Sequence, residues 1–204
     1  MKSIKFGPSV TDINTNTKTI MRTLAIVTGA SRGFGANICK ELANKIEQVD
    51  FLLYARSQSG LESTQAIIKQ IKPSSDVKLF ATDFARITEL ETVWRSSLDA
   101  VEVSKYDRVW LFNNHGSLGG LVRVEEYDTK VKTLNWAPGI LDTDMQKEVR
   151  EKTPDPNTRQ YFIDLKENNK LVDQCFSAGK MIDTLVANTF SSGDHIDIYD
   201  IMNK

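Results

Sequence analysis

Apolar positions along this chain follow two alternating patterns. From residue 22 onward, compact apolar runs such as residues 23–30 are followed by stretches in which an apolar residue recurs every fourth position, as from Phe34 through Ile38 to Leu42. Compact runs are typical of strands buried on both faces, and the fourfold recurrence is typical of an amphipathic helix. This strand and helix order predicts an α/β fold, a Rossmann-type parallel sheet with helices on both faces. The predicted strands are residues 23–30, 50–56, 76–84, 107–116, 130–139 and 194–200.

The remaining segments complete the predicted organisation. Helices are expected after the second and third strands, the first of them ending near Pro73, and a capped helix is expected over residues 177–189. Residues 152–170 are polar and interrupted by proline, which predicts a mobile loop with a short helix over the cleft. Residues 1–20 are rich in Thr, Asn and Lys without an amphipathic period, which predicts a disordered leader. Residues 21–204 are then expected to form a single Rossmann-type domain.

Composition narrows the class of partner. The 26 Lys and Arg against 27 Asp and Glu leave a formal net charge of −1, so no basic surface is expected to attract nucleic acid or an anionic membrane. No apolar run approaches the roughly 20 residues needed to span a bilayer. The two cysteines are far apart and lack metal-ligand spacing, so no metal site is predicted. A small-molecule partner and a cytoplasmic location are expected.

A glycine-rich loop follows the first predicted strand and opens the first helix. Glycines in such a loop permit a tight turn and let main-chain N–H groups approach a pyrophosphate, whose charge the positive end of the helix dipole favours. A tight turn without a ligand is the alternative, but the position between strand and helix favours dinucleotide binding. The predicted cofactor-binding residues here are Gly29, Ala30, Ser31, Arg32, Gly33, Phe34 and Gly35.

The charge near this loop distinguishes between the two nicotinamide cofactors. An NAD site would place an acidic residue about 20 residues beyond the glycines, to bind the ribose 2′-hydroxyl. This chain has Arg56 and Ser57 there, and Arg32 lies within the loop itself. Guanidinium groups bind phosphate with paired N–H donors, so NADP(H) is the predicted cofactor.

These motifs together resemble those of a known family. "TGASRGFG" at 28–35, "NNHG" at 113–116 and "PG" before Thr143 resemble the short-chain dehydrogenase/reductase family. "YARS", "NWAPGILDTDMQ" and "SGDHIDIYD" are similar to its sepiapterin reductase group. The resemblance implies NADPH-dependent carbonyl reduction on the side chain of a pterin, within tetrahydrobiopterin biosynthesis.

The resemblance also implies roles for residues outside the glycine loop. Thr82 and Asp83 would border the adenine, and Asn113 to Gly116 would line the cofactor cleft. Gly139 would lie at the substrate, where Asp197 would bind the guanidine-like edge of the pterin. Asp83 as a turn cap and Asp197 as an outward polar residue on an edge strand are the alternatives. The residues expected to close over the nicotinamide are Leu141, Asp142, Thr143, Asp144, Met145 and Gln146.

The catalytic segment of the family has no counterpart in this sequence. The resemblance calls for a Tyr-x-x-x-Lys pair and a preceding serine between the fourth and sixth strands. The chain contains no Tyr-x-x-x-Lys, and only ten residues separate Gly120 from Val131, whereas a single βαβ unit takes about 30. We therefore expect a sheet shortened by about two βα units, joined near residues 119–126, with no catalytic residues and without the helices through which the family forms homodimers.

Two interpretations of function stay open at this point. The chain is either a pterin carbonyl reductase of doubtful activity, or a catalytically inactive NADP(H)-binding or interaction protein, including an exon-skipped product. Tyr127 with Lys130 or Lys132 is the one local pair that could substitute for the missing acid, against a role as exposed positions.

Overall fold

The computed structural model describes residues 20–84, 87–114 and 132–203. Its main sheet has four parallel strands in the order β3-β2-β1-β4. The strands are β1 (Arg22–Thr28), β2 (Gln48–Ala55), β3 (Val77–Ala81) and β4 (Arg108–Phe112). The carboxyl ends of β1 and β4 therefore lie side by side, which is where a parallel α/β sheet binds its ligand.

Helices cover both faces of this sheet because β1 and β2 carry apolar residues at successive positions. Ala25 and Val27 of β1 belong to the larger core, beneath α1 (Gly33–Lys45) and α2 (Gln58–Ile71). Leu24 and Ile26 point to the opposite face, where the side chains packed beside them include Trp94 and Leu98 of α3 (Ile87–Asp99). Alternate residues of one strand thus serve two separate cores.

A second, two-stranded sheet follows in the chain. Its parallel strands are β5 (Leu134–Ala137) and β6 (Asp194–Asp197). Among the described strands, neither pairs with the main sheet. The helices of this half are α4 (Asp144–Lys152), α5 (Pro156–Glu167), α6 (Gln174–Ala187) and α7 (Ile198–Met202).

Helix α6 attaches this second half to the main sheet by packing against α1. Lys45 on α1 donates hydrogen bonds to the carbonyl oxygen of Gly179, at 2.9 Å, and to the carboxylate of Asp183, at 2.6 Å. Ala178 and Ile182 of α6 are buried in the larger core. A Cβ at Gly179 would meet the ends of two α1 side chains, 3.1 Å from a Glu41 carboxylate oxygen and 3.3 Å from the Lys45 amine.

The predicted fold class is confirmed, and three details of the prediction are wrong. Residues 152–170 do contain the predicted helix, but α5 takes 12 of these residues, so the segment is mainly helix rather than loop, because Asp155 accepts a hydrogen bond from the N–H of Thr158 and Pro156 takes the first helical position. The last strand ends at Asp197, where α7 begins. The six described strands form two sheets instead of one.

Several expectations lie outside the described residues. They concern residues 1–19 of the predicted leader and the predicted join near 119–126. Within the described ranges, no helix is both long and apolar enough to cross a membrane. The same ranges contain no cluster of His, Cys, Asp or Glu side chains placed to hold a metal ion.

Candidate functional site

The glycine-rich loop connects β1 to α1 in a conformation that requires glycine. Gly29 and Gly33 have φ angles of +66° and +58°, in the left-handed region where a side chain is strained. A Cβ at Gly35 would lie 2.3 Å from the carbonyl oxygen of Gly29, closer than real Cβ atoms approach. The loop is therefore folded directly against the first turn of the helix.

The end of β4 holds this loop in place. The main-chain N–H of Asn114 donates to the hydroxyl of Thr28 at 3.0 Å, and its side-chain amide donates to the carbonyl oxygen of Thr28 at 3.3 Å. The predicted Asn113 lies beside it, exposed, with its side-chain oxygen 3.5 Å from the same hydroxyl. Within the range 113–116 that was predicted to line the cofactor cleft, Asn114 is the asparagine that supports the loop.

The first turn of α1 lacks both a capping side chain and an acidic residue. The N-terminal N–H groups of a helix have no partner within the helix, so a side chain, water or a ligand must satisfy them. By contrast, a side chain caps the N-terminus of α2, α4, α5, α6 and α7. The capping residues are Ser57, Thr143, Asp155, Asp173 and Asp197, respectively. The uncapped start of α1 fits an anion such as a pyrophosphate.

The two predicted arginines have different surroundings. Arg56 follows β2, next to the end of β1, and is exposed with no ion pair or hydrogen bond to the described residues. Arg32 donates a hydrogen bond to the carboxylate of Asp144, with Nη1 and Oδ2 2.7 Å apart. Ser57 caps α2 by accepting a hydrogen bond from the N–H of Gly60 at 3.1 Å.

The other residues predicted at the glycine loop and the adenine support the strand ends. Ala30 is buried, and its N–H donates to the carbonyl oxygen of Tyr54 at 3.1 Å. Ser31 packs against Gly60, where a Cβ would lie 2.8 Å from the Ser31 Cβ. Thr82 is buried and its N–H donates to the carbonyl oxygen of Ala55 at 2.9 Å, with Asp83 following it half-buried. Phe34 packs against the larger core.

Residues 141–146, which were predicted to close over the nicotinamide, are held by contacts with other residues of the second half. Leu141 forms an isolated parallel bridge with Val172. The carboxylate of Asp142 forms ion pairs with Lys166 and with Arg150, the latter at 3.8 Å. Thr143 caps α4 by accepting from the N–H of Gln146 at 3.3 Å.

Two side chains at the start of α4 differ in exposure. Met145 is largely exposed to solvent. Gln146 is buried, and its side-chain oxygen accepts a hydrogen bond from Arg150. The amide nitrogen of Gln146 has no partner among the described residues. A buried donor without a partner is costly to the fold.

Gly139 and Asp197, the two predicted substrate residues, lie at the edge of the second sheet. Gly139 has φ +80°, and a Cβ there would lie 2.7 Å from a methyl of Val172 and 2.8 Å from one of Ile198. Asp197 caps α7 through a 2.9 Å hydrogen bond from the N–H of Tyr199. Neither contact tests a role in binding substrate, so both roles stay predictions.

Gln174, at the start of α6, links the two halves of the site and was not predicted. Its side-chain nitrogen donates to the carbonyl oxygen of Asp142, and its side-chain oxygen accepts from the amide of Asn37 on α1 at 3.3 Å. The helix cap at Asp173, one residue earlier, is a sequence signal that marks this position as the start of a helix.

The one candidate substitute for the missing acid finds no support among the described residues. Tyr127 and Lys130 lie outside them. Lys132 donates a 2.9 Å hydrogen bond to the side-chain oxygen of Asn188 and lies 4.8 Å from the centre of the Phe190 ring. Lys132 is therefore engaged at the start of the second sheet.

A sequence model of the short chain dehydrogenase family matches residues 23–130, which is more than half of the chain and includes the glycine loop. The chain belongs to the short-chain dehydrogenase family. Its members are oxidoreductases, and a nicotinamide dinucleotide is the class of cofactor that this loop is built for.

Similarity within the short-chain dehydrogenase family reaches the sepiapterin reductases. The Xenopus tropicalis enzyme is 49% identical over 75 residues, covering 37% of this chain but only 29% of that enzyme. The Xenopus laevis enzyme is 25% identical over 252 aligned positions, covering 87% of this chain and 95% of that enzyme. Since 252 positions exceed the 204 residues of this chain, the relative contains internal sequence that has no counterpart here.

Solved structures of short-chain dehydrogenase type share the fold. The crystal structure of the KRED1-Pglu enzyme has a TM-score of 0.65 at 19% identity, covering 85% of this chain and 100% of that one. A short chain dehydrogenase/reductase from Saccharomyces cerevisiae has a TM-score of 0.63 at 19% identity, covering 86% of this chain and 95% of that one. The Rossmann-type architecture is thus preserved although the chain is shorter.

Proposed function

We propose that this chain binds NADP(H) at the carboxyl ends of β1, β2 and β4, with the pyrophosphate on the uncapped first turn of α1. The uncapped turn is the observation that carries the proposal. Gly29 and Gly33 take the left-handed conformations of the turn, and Gly35 lets the loop fold against the start of α1, whose first main-chain N–H groups no side chain caps. No acidic residue stands in the first turn of α1 to repel an anion.

The preference for the phosphorylated cofactor rests on Arg56 and Arg32. Arg56 is exposed beside the end of β1 and has no acidic partner among the described residues, so its guanidinium is free to bind a 2′-phosphate. Arg32 lies in the loop itself, one residue before α1. Arginine suits this task because its planar group donates two parallel hydrogen bonds to phosphate oxygens.

The reaction class that fits this site is the reduction of a carbonyl on a pterin side chain. Similarity to sepiapterin reductases over 87% of the chain supports it. The bound cofactor would supply hydride. The residues after Gly139 would close over the nicotinamide, and the carboxylate of Asp197 would accept hydrogen bonds from the pterin edge, using the oxygen that does not cap α7.

A catalytically silent NADP(H)-binding protein is the second candidate, and one observation favours it. The chain contains no Tyr-x-x-x-Lys, so the residues that would give a proton to the carbonyl oxygen are missing. Cofactor binding can be measured separately from turnover, because the glycine loop and the two arginines lie outside the segment that would carry Tyr-x-x-x-Lys. Cofactor binding is therefore the first property to measure.

Calorimetric titration of the full chain with NADPH and with NADH tests the proposal. NADPH is expected to bind more tightly, and Arg56→Ala should reduce the ratio of the two affinities. Arg95→Ala is the matched control, since Arg95 is also an exposed arginine but lies on α3 and pairs with Glu91. Equal affinities for the two cofactors, or an unchanged ratio in Arg56→Ala, would contradict a 2′-phosphate site.

A further inference from the structure

An ion pair closes the gap between the glycine loop and the start of α4. Arg32 Nη1 and Asp144 Oδ2 are 2.7 Å apart, although 112 residues separate them in the chain. Both side chains are 71% exposed, so neither is confined by packing. The two groups meet because the loop after β5 places the first residue of α4 opposite the last residue before α1.

The same guanidinium is one of the two that the proposed site offers to a 2′-phosphate. A carboxylate and a phosphate carry the same sign of charge, and each is bound best by the paired N–H donors of arginine. We propose that Asp144 is a specificity-determining positioning residue that competes with the 2′-phosphate for Arg32 and so lowers the preference for NADPH over NADH. This inference rests on the proposed function.

Asp144 is separable from the contacts that hold its loop. The start of α4 is capped by Thr143, and the preceding Asp142 is held by Lys166, Arg150 and the side chain of Gln174. Neutralising Asp144 therefore leaves these contacts intact. It releases Arg32 and removes a negative charge next to the place where a phosphate would bind.

The competition acts on one arginine only. Arg56 has no acidic partner among the described residues, so its share of phosphate binding is independent of Asp144. Exposed ion pairs contribute little, because both side chains are solvated in either state. Release of Arg32 should therefore raise NADPH affinity about two- to fivefold more than it raises NADH affinity, since only NADPH carries the 2′-phosphate.

The experiment compares NADPH and NADH affinities by calorimetric titration in the unaltered full chain and in five variants of it. Asp144→Asn should raise the ratio of NADPH affinity to NADH affinity. Asp144→Glu keeps the negative charge, so its ratio should stay close to that of the unaltered chain. In an Arg32→Ala background, Asp144→Asn should no longer change the ratio. Glu151→Gln is the matched control, because it removes one negative charge from α4 at a residue paired with Lys147.

The outcomes separate this inference from the proposed function. If the unaltered chain prefers NADPH but Asp144→Asn leaves the ratio unchanged, the competition is refuted and the cofactor site stands. If Asp144→Asn weakens both cofactors equally, the pair closes the cleft over any dinucleotide and the inference is again wrong. If no variant binds NADPH, both proposals fall together.

Discussion

The side-chain amide of Asn114 donates a hydrogen bond to the main-chain oxygen of Thr28, so the end of β4 is fixed against the start of the glycine loop. The amide nitrogen also occupies the space beside Gly29, where a Cβ would lie 3.0 Å from it. Loop geometry therefore depends on a residue 86 positions away in the chain.

Asn114→Ala should destabilise the fold and weaken cofactor binding. It removes the hydrogen bond to Thr28 and opens a space next to Gly29, at a cost of about 0.5–1.5 kcal/mol in the free energy of unfolding. Urea denaturation and calorimetric titration with NADPH measure the two effects. Asn157→Ala is the control, since Asn157 is an exposed asparagine on α5. Equal effects of the two substitutions would show that Asn114 has no special role.

Tyr106 gives the fold a dependence on alkaline pH. Its hydroxyl donates to the carboxylate of Asp50 at 2.9 Å, and the same carboxylate oxygen is 3.1 Å from a guanidinium nitrogen of Arg22. Burial, with the hydrogen bond to Asp50 next in size, raises the pKa of Tyr106 to about 12. An unfolded tyrosine titrates near 10, so the stabilising contribution of the neutral hydroxyl is complete below about pH 10 and is lost as pH rises towards 12.

Tyr106→Phe should therefore be less stable than the unaltered chain at pH 8, and the difference should shrink between about pH 10 and 12. Urea denaturation at each pH measures it. Tyr161→Phe is the control, because Tyr161 is exposed on α5. A difference that stays constant across this range would mean that Tyr106 does not titrate as its surroundings predict.

Strand β4 is the edge of the described main sheet and carries an uncovered apolar face. Val109 and Leu111 lie next to Leu24 and Ile26 in register, yet they are 44% and 56% exposed, respectively. Edge strands with exposed apolar side chains favour association with other chains.

We expect the protein to be a monomer that aggregates as its concentration rises, and Leu111→Lys should reduce the aggregation. Light scattering over a range of concentrations measures both. Met202→Lys makes the same kind of change at a similarly exposed residue on α7 and should have less effect. A clean dimer that is stable to dilution would contradict the expected loss of the family interface.

The parts of this fold that the sequence predicted are those determined by local pattern. Strands β1 and β2 are buried on both faces, and their apolar runs indicate it directly. The glycine loop has a similarly local signature. Helix α5 is longer than the short helix predicted within residues 152–170, because Asp155 caps it and Pro156 takes its first position, where a proline favours a helix start.

The site residues and element ends that the sequence did not predict depend on long-range contacts. The side chain of Gln174 accepts a hydrogen bond from Asn37, 137 residues earlier, and no rule of local sequence spacing connects such positions. The alternation of Ile196 and Ile198 resembles a continuing strand, but Ile198 is buried as the first residue of α7. A period of two over so few residues does not indicate where a strand ends. The pairing of Arg32 with Asp144 also depends on how the loops meet.

The last prediction is that this chain reduces sepiapterin far more slowly than a sepiapterin reductase that has the complete segment. A positioned general acid contributes about 10²–10⁴-fold to rate, and the chain has no Tyr-x-x-x-Lys to supply it. Tyr199 is the described tyrosine next to Gly139, but its hydroxyl accepts a hydrogen bond from the N–H of Ile140 at 3.2 Å.

The measurement is NADPH oxidation at saturating sepiapterin, in this chain and in a version carrying the corresponding segment of the Xenopus laevis enzyme. Restoration should raise kcat by at least about 10²-fold. Tyr127→Phe and Tyr199→Phe should leave the low basal rate of this chain unchanged, because neither tyrosine has the lysine four residues on that lowers the pKa of the family's acid. Turnover equal to that of the restored version would refute the inactive interpretation, and a loss confined to one tyrosine variant would identify a substitute acid. If NADPH binds tightly while restoration gives no turnover, the binding function stands and pterin reduction is the part that is wrong.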